Sequence, residues 1–449
     1  MPENGRGTTG TSGRQGDAGS PGPEARTEPL DLRRRRSDQE PAVTDAEAVE
    51  HAVNAYLPLP PPQRHGIGLC LSGGGFRATL FHLGALKRLQ ELGILAKLWT
   101  ISSVSGGSIA SAHLATRAPW PIAISGAEWD ERIGGPLRAL TGRNLRTPPL
   151  LTRLLPWNWF RSSTGVETLA KSFERRLTPI ALGDLPALPI FVFSATDMAF
   201  GDNWTFQKDR MGAYQPGYVT PFPADWPLAR AVAASACFPP VFNPMRLAFR
   251  KESFVDGHAF AGKERDEAFE DLRLTDGGNY DNLALEPVWK KHETVLVSDG
   301  GGLFPFQSDR DLFHRLRRYT AIIENQARAL RKRWLVASFQ TGVLHGAYWG
   351  IGSARSRYDP NDGTGYSKDF AQTVIASIRT DMDAFSEAEA AVLENHGYLM
   401  ADVAVQTHVK ELVRSPVPPL AIPHPEWMDE VRVRKALRGS SKRRLLGRW

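Results

Sequence analysis

Short apolar runs alternate with segments of helical periodicity between residues 65 and 115. The runs at 67–71 and 98–101 have the length and apolar content of buried strands. Leucines recur at helical spacing after the first run until Gly93, which ends that helix, and a second helix is predicted over 109–114. Strand–helix–strand–helix order is typical of a parallel sheet covered by helices, so we predict the α/β fold class.

Each of these two strands leads through a glycine-rich turn into a helix. The first turn carries Gly73, Gly74 and Gly75, and the second carries Ser105. Backbone N–H groups at such a turn point to one place, with the positive end of the helix dipole behind them, and so stabilise negative charge. The sequence therefore predicts that Ser105 is a nucleophile and that the first turn forms an oxyanion hole. Ser103 stands where nucleophile turns of this kind usually carry glycine.

The same pattern predicts further elements downstream. Strands are predicted at 190–197 and 294–299, and the first of them ends in polar residues, where an α/β sheet usually places its site. Helices are predicted at 163–177, 229–236, 309–335 and 384–409, with an interruption in the last near Gly397. The helix at 309–335 is basic and amphipathic.

Residues 140–160 differ in composition from the rest. Pro148, Pro149 and Pro156 are expected to break any regular structure there. Seven Leu, Trp and Phe residues crowd the second half of the same stretch. Two interpretations are open: an ordinary loop packed on the core, or an apolar rim through which acyl chains enter a site.

A nucleophilic serine needs a base within hydrogen-bonding reach. Three Asp-Gly pairs are alternatives, at Asp256, Asp276 and Asp299, and each has the composition of an ordinary turn. Asp276 has the richest polar surroundings, whereas Asp299 ends a strand, which suits a structural carboxylate. His82 is the histidine nearest to the glycine turns, and its place within a predicted helix favours a packing role.

Several motifs, in the order in which they occur, resemble those of the patatin-like phospholipases. They are Ser72-Gly73-Gly74-Gly75-Phe76-Arg77, Ser103-Val104-Ser105-Gly106-Gly107, Ala195-Thr196-Asp197, Ala233-Ala234-Ser235-Ala236-Cys237-Phe238-Pro239-Pro240-Val241-Phe242 and Asp276-Gly277-Gly278. The resemblance covers about residues 65–300. It implies a three-layer α/β/α fold with a central, mostly parallel sheet and helical C-terminal additions.

The resemblance also implies a mechanism. Ser105 would be the nucleophile and Asp276 the base of a Ser–Asp dyad, and the N–H groups of Gly73, Gly74 and Gly75 would form the oxyanion hole. The implied reaction cleaves a fatty acyl ester through an acyl-enzyme and requires no metal or other cofactor. The supporting positions are Arg77, Gly107, Gly277 and Gly278. Arg77 either fixes its turn through a salt bridge or contacts a substrate phosphate.

The ends of the chain differ from the middle. The formal net charge is +6, yet residues 431–449 alone hold eight Lys or Arg and no Asp or Glu. Such a tail either binds the phosphates of an anionic membrane or is simply solvated. The predicted divisions are a disordered segment with a short helix at 1–60, the patatin-like domain at 61–425 (core motifs 65–300, helical additions 309–410) and a basic tail at 426–449.

Cysteine content and hydropathy indicate the compartment. Cys70 and Cys237 are the two cysteines, and both lie in apolar runs, so we expect buried free thiols. No apolar run approaches the roughly eighteen residues that a membrane span needs, and no apolar run follows the arginines at 33–36, as it would in a secretory signal. These features predict a cytoplasmic protein that contacts membranes peripherally.

The leading prediction is therefore a lipid acyl hydrolase that acts on a phospholipid or a related ester. The alternatives are a hydrolase of soluble esters or thioesters and a catalytically silent regulatory protein of the same fold. We expect no nucleic-acid partner, because the sequence has no zinc-finger spacing or RNA-binding motif. The acidic residues at 256–271 are explained by a solvated loop rather than by a Ca²⁺ site.

Overall fold

The computed structural model describes residues 57–449 except 123, 159–162, 240, 260–261, 305–310, 443, 445–446 and 449. Residues 1–56 of the segment that was predicted to be disordered, including its predicted short helix, lie outside the described residues. Trp159 and Phe160 of the proline-rich region also lie outside them.

A mixed sheet runs through the described part of the chain. Its strands are β1 Ile67–Leu71, β2 Leu98–Val104, β3 Ile190–Asp197, β4 Asn203–Phe206, β5 Met211–Ala213, β6 Gly217–Val219, β7 Met245–Arg246, β8 Phe254–Val255, β9 Arg273–Asp276, β10 Thr294–Asp299 and β11 His345–Gly350. Their order is β11-β10-β1-β2-β3-β4-β5-β6-β8, with β9 paired to β3 and β7 paired to β9. The pairs from β11 to β3 are parallel, and every other pair is antiparallel.

Strand residues alternate between two hydrophobic cores. Leu69 and Leu71 of β1 belong to the larger core, whereas Cys70 between them belongs to a smaller one. Strand β10 alternates in the same way. Because successive strand residues point to opposite faces, both faces of the sheet are covered. The predicted three-layer α/β/α fold with a mostly parallel centre is confirmed, and both cysteines are buried free thiols as expected.

Helices cover the sheet and extend beyond it. They are α1 Gly75–Glu91, α2 Gly106–Arg117, α3 Gly126–Trp129, α4 Gly135–Thr141, α5 Thr147–Leu154, α6 Thr164–Arg176, α7 Leu228–Ser235, α8 Lys263–Glu270, α9 Gly278–Asp281, α10 Leu312–Gln340, α11 Lys368–Phe370, α12 Glu387–His408 and α13 Glu430–Ala436. In the described chain, no helix is long and apolar enough to cross a membrane.

The predicted interruption of α12 near Gly397 is wrong. The helix continues through Gly397, where a Cβ atom would lie 1.8 Å from the carbonyl oxygen of Phe81 on α1. On α1, a Cβ at Gly84 would lie 1.8 Å from the carbonyl oxygen of Glu394 on α12. These glycines therefore allow two buried helices to cross with their backbones in contact.

The prediction that prolines prevent regular structure over 140–160 is also wrong. Helix α5 begins at Thr147, with Pro148 and Pro149 in its first turn. Proline is tolerated there because the first N–H groups of a helix have no partner within the helix. The packed-loop interpretation does not fit Leu151 or Trp157, which are 44% and 68% exposed.

The residues predicted as a basic tail pack against the domain where the structure describes them. Val433 of α13 is buried. Ser440 donates a hydrogen bond to the buried carboxylate of Glu389, and Arg448 forms an ion pair with the same carboxylate at 3.0 Å. Part of the positive charge at 431–449 is therefore compensated within the protein.

Candidate active site

Strand β3 brings the ends of β2 and β9 together. Val104, the last residue of β2, pairs with Ser194 of β3. Asp276, the last residue of β9, pairs with Ala195, which follows Ser194 in β3. Strand β2 runs parallel to β3 and β9 antiparallel to it, so the two strands approach each other from opposite ends. Ser105, which follows β2, is thereby placed beside Asp276.

Ser105 has a strained backbone, as expected for the turn that was predicted to carry a nucleophile. Its φ of 52° and ψ of −116° lie where a residue with a side chain is rarely found. A Cβ atom at Gly106 would lie 2.1 Å from the carbonyl oxygen of Gly75, and one at Gly107 would lie 2.2 Å from that of Leu71. The glycines after Ser105 are therefore needed because the two turns pack backbone to backbone.

Ser235 links the serine turn to the aspartate turn. Its hydroxyl accepts a 2.9 Å hydrogen bond from the Ser105 N–H and donates a 2.6 Å bond to the Ser194 carbonyl. Its own carbonyl accepts a bond from the Gly277 N–H at 3.2 Å. Sequence analysis placed Ser235 in a motif of the family but assigned it no role, because its partners lie far away along the chain.

Asp276 is buried, and burial raises the pKa of its carboxyl group to about 7. A 2.8 Å hydrogen bond from the Gly278 N–H to Oδ1 and the nearby Ser105 hydroxyl oppose this rise, whereas the negative charge of Glu324 adds to it. Oδ2 is buried without a hydrogen bond of ordinary geometry in the described part of the chain. A carboxylate with these properties can accept a proton near neutral pH.

The other Asp-Gly pairs have different environments. Burial would raise the pKa of Asp299, but Lys332 at 2.7 Å and other partners, including the Tyr348 hydroxyl, lower it to about 2. Asp299 is thus held as a permanent anion. Asp256 is exposed and occupies a turn with a φ of 56°.

His82 has the packing role that was predicted for it. Its ring is buried, with Nε2 donating to the Ser72 carbonyl at 2.9 Å and Nδ1 lying 2.8 Å from the Ser298 hydroxyl. Burial lowers the pKa of His82 to about 4. The neutral ring therefore fastens α1 to the ends of β1 and β10.

The glycine turn offers fewer free donors than expected. The Gly73 N–H donates to the carbonyl of Asn282 at 3.0 Å. For the N–H groups of Gly74 and Gly75, no partner is found among the described residues. Since Gly75 begins helix α1, the dipole of a 17-residue helix adds to these donors. Of the three N–H groups predicted to form the oxyanion hole, that of Gly73 is therefore already bonded, and those of Gly74 and Gly75 are the remaining donors.

Arg77 is buried and fixes the loops around the glycine turn. It donates to the carbonyl of Gly300 at 3.2 Å and to those of Ala376 and Ile378 at 3.0 and 2.8 Å. These hydrogen bonds to three carbonyl groups fit the predicted role of holding the turn, and Arg77 also lies in the wall of the cavity described below.

Gly277 and Gly278 allow the Asp276 turn to pack closely. A Cβ at Gly277 would lie 2.3 Å from the Ser194 carbonyl oxygen, and one at Gly278 would lie 2.7 Å from the Asn282 amide oxygen. Both positions therefore tolerate no side chain without a local shift.

Ser105 and Asp276 face a cavity of about 310 Å³. The polar wall residues that sequence analysis did not assign to the site are Arg146, Asn282, Glu324, Asn325, Arg328, Thr380 and Asp381. Apart from Asn282, which lies in the polar stretch after Asp276, they belong to segments that carry no motif of their own. The apolar part of the wall is formed by Ala236, Phe238, Val241, Phe242, Leu303, Phe304, Ala321 and Met382. The mostly apolar lining suits an acyl chain.

The sequence profile of the family described as "Patatin-like phospholipase" matches residues 69–289. Residues 69–289 form a patatin-like phospholipase domain. The matched range of this patatin-like chain includes Ser105, Asp276 and both glycine turns. No curated protein matches its sequence.

Two solved structures that are similar to this patatin-like chain come from longer proteins. Human GIVD cytosolic phospholipase A2 is 13% identical, with a TM-score of 0.41 and coverage of 89% of this chain and 66% of that one. VipD from Legionella pneumophila is 15% identical, with a TM-score of 0.32 and coverage of 77% and 67%. The chain thus spans about two thirds of the length of each.

We expect esterase activity of this patatin-like chain to depend on the protonation of Asp276. Below a midpoint near pH 7, kcat/KM should rise about tenfold per pH unit, because the base works only when deprotonated. Glu324→Gln should move the midpoint to lower pH, since the charge of Glu324 raises the pKa of Asp276. The exposed carboxylate variant Glu293→Gln is the control and should leave the midpoint unchanged. A profile without an acidic limb contradicts the assignment.

Proposed function

We propose that the chain is a serine lipid acyl hydrolase that cleaves a fatty acyl ester with Ser105 and Asp276. The observation that carries the proposal is the juxtaposition of a strained serine with a buried carboxyl group whose pKa is raised to about 7. A serine hydroxyl is a poor nucleophile unless a base lies beside it. The patatin-like phospholipase domain supports a lipid as the substrate.

In the proposed acylation step, the Ser105 hydroxyl attacks the ester carbonyl as Asp276 takes its proton. The carbonyl oxygen becomes an oxyanion that receives hydrogen bonds from the N–H groups of Gly74 and Gly75. When the tetrahedral intermediate collapses, the bond to the alcohol breaks and Asp276 returns the proton to the leaving oxygen. The products of this step are the free alcohol and an acyl ester on Ser105.

Deacylation repeats the same chemistry with water. Asp276 removes a proton from the water as it attacks the acyl-enzyme carbonyl, and the oxyanion again occupies the glycine turn. Collapse expels the Ser105 oxygen, which regains its proton from Asp276. The fatty acid leaves and the dyad is restored, so no metal or redox group is needed for the cycle.

The apolar wall of the cavity supports a lipid substrate over a short soluble ester. We place the reaction at a membrane surface reached from the cytoplasm. The two buried free cysteines fit a reducing compartment.

A fluorophosphonate probe tests the proposal, because it phosphonylates only an activated serine. The full chain should react in a one-to-one ratio, and peptide mapping should locate the label on Ser105. Labelling of a different serine in the folded chain, or no labelling together with no esterase activity, would refute the proposed dyad.

Turnover of two substrates tests the substrate class. We expect kcat/KM to be higher for phospholipid in mixed micelles than for a short p-nitrophenyl ester. The reason is that only the long acyl chain fills the apolar cavity. Faster turnover of the short ester would place the enzyme among hydrolases of soluble esters.

A further inference from the structure

Glu324 of helix α10 lies in the wall of the same cavity as Ser105, and its side chain is half-buried. Within the described part of the chain, no hydrogen bond or ion pair is made by its carboxylate. Burial raises the pKa of Glu324, and the positive charge of Arg328 opposes the rise. A carboxylate that has lost part of its water without gaining a donor is destabilised until a cation or a donor reaches it.

Arg328, one turn further along α10, would be the ordinary partner of Glu324. A Glu and an Arg four residues apart usually attract each other on the surface of a helix. Here they form no ion pair, because Arg328 donates instead to the carbonyl of Gly302 at 2.5 Å and to the amide oxygen of Asn325 at 3.4 Å. The arginine is thereby held away from the carboxylate, which stays open to a cation from outside.

The other charged groups of the described wall are accounted for. Arg77 donates to three carbonyl oxygens, and Arg146 forms an ion pair with Asp381 at 2.5 Å. Asp276 is the proposed base. Among the described residues that line the cavity, Glu324 is therefore the acidic side chain that neither an ion pair nor a step of the proposed reaction explains.

Glu324 lies close to the place from which the alcohol of the substrate would leave. The alcohol oxygen must come next to Asp276, because that carboxyl group returns the proton to it in the proposed cycle. Burial raises the pKa of Asp276, and the negative charge of Glu324 adds to the rise, so the two carboxyl groups are neighbours in the cavity. A positive group on the alcohol would therefore come within reach of Glu324.

We propose that Glu324 binds a primary ammonium group on the alcohol part of the substrate and so selects acyl esters with an amine-bearing head group. The selection of a substrate rests on the proposed hydrolase function, whereas the binding contact itself requires no catalysis. A primary ammonium has three N–H donors, and its hydrogen bond to a carboxylate is charge-assisted at both ends. A head group of similar size without an amine leaves Glu324 unpaired.

Calorimetry on a chain that cannot turn over its ligand tests the contact. In the Ser105→Ala chain at pH 8, dihexanoyl phosphatidylethanolamine, used as a monomer, should bind about tenfold or more tightly than dihexanoyl phosphatidylglycerol. The difference is expected because only the first lipid carries an ammonium group. Adding Glu324→Gln should reduce the ratio of the two dissociation constants to about one. Glutamine has the same shape, and no internal partner of Glu324 is lost, so the fold is retained.

Glu293→Gln in the same Ser105→Ala chain is the matched control. Glu293 is exposed and lies outside the cavity wall, so this variant removes the same charge and should keep the tenfold ratio. A preference for the amine that survives Glu324→Gln would assign the ammonium to another acidic group and overturn the proposal. Equal binding of the two lipids by the Ser105→Ala chain would overturn it as well.

Turnover with Ser105 intact separates this contact from the dyad. At pH 8, above the titration of Asp276, Glu324→Gln should remove the preference for the amine in kcat/KM. A change in the strength of the base acts on both lipids alike and cancels in their ratio. If both lipids bind with the expected ratio and neither is hydrolysed, the contact stands and the hydrolase function fails. If both are hydrolysed with equal kcat/KM and bind equally, the hydrolase function stands and the contact is refuted.

Discussion

Replacing Ser105 with alanine should lower kcat for ester hydrolysis by about 10⁴-fold or more and leave the fold intact. The loss is large because the hydroxyl forms the covalent bond, so neither Asp276 nor the glycine turn can compensate for it. The substitution removes only the side-chain oxygen. The hydrogen bond to Ser235 is donated by the backbone N–H of residue 105 and is therefore kept. The circular dichroism spectrum and melting temperature should therefore remain close to those of the parent.

Ser111→Ala is the matched control for this variant. Ser111 lies on the helix that follows the nucleophile, and its buried hydroxyl makes no hydrogen bond within the described residues. Its removal should change neither kcat nor KM. Activity retained by Ser105→Ala, or lost equally in Ser111→Ala, contradicts the assignment of the nucleophile.

Asp276→Asn should abolish turnover about as completely as Ser105→Ala and should also stabilise the protein above neutral pH. The loss of turnover follows because asparagine cannot take the Ser105 proton. The gain in stability follows because the variant no longer buries a negative charge. Kinetic assays together with thermal melts at pH 8 and pH 4 measure both effects.

The direction of the stability change follows from the pKa of Asp276 in the two states. It is about 7 in the native protein and about 3.9 in an unfolded chain. Between these values the native state holds a proton that the unfolded state has released, so the free energy of unfolding falls as pH rises. The advantage of Asp276→Asn should therefore be complete above pH 7 and absent below about pH 4.

Asp299→Asn should show the reverse pattern. Its carboxylate is buried and paired with Lys332 and Tyr348, so neutralising it removes stabilising interactions. The variant should melt at a lower temperature and keep most of its specific activity while folded. If Asp299→Asn is inactive although folded and Asp276→Asn is active, the base has been assigned to the wrong Asp-Gly pair.

The elements around the nucleophile could be predicted from sequence because their signals are local. Strands β1, β3 and β10 are continuous apolar runs, and their observed limits agree with the predicted ones. Helix α1 ends at Glu91, close to the glycine that marks its end. The serine turn was recognisable because close packing of backbones restricts the neighbouring residues to glycine.

The remaining parts of the site depend on contacts that no local pattern records. The three Asp-Gly pairs are alike in sequence, and Asp299 is distinguished from Asp276 by Lys332 and Tyr348, from α10 and β11. The Gly73 N–H donates to the carbonyl of Asn282, which follows the aspartate turn and lies about two hundred residues further along the chain. Strands β4 to β9 and β11 were not predicted. Strands β4 to β9 have only two to four residues, which are too few to show alternation.

The meeting of β2 and β9 on one edge of β3 has a consequence during biosynthesis. The ribosome completes the Ser105 turn long before it reaches Asp276, which is 171 residues further along the chain. Until β9 is made, the stretch of β3 from Ala195 onward lacks the strand that carries the base. A nascent chain that ends before Asp276 therefore contains the proposed nucleophile without the proposed base, so the proposed hydrolase can become active only after most of the domain has been synthesised.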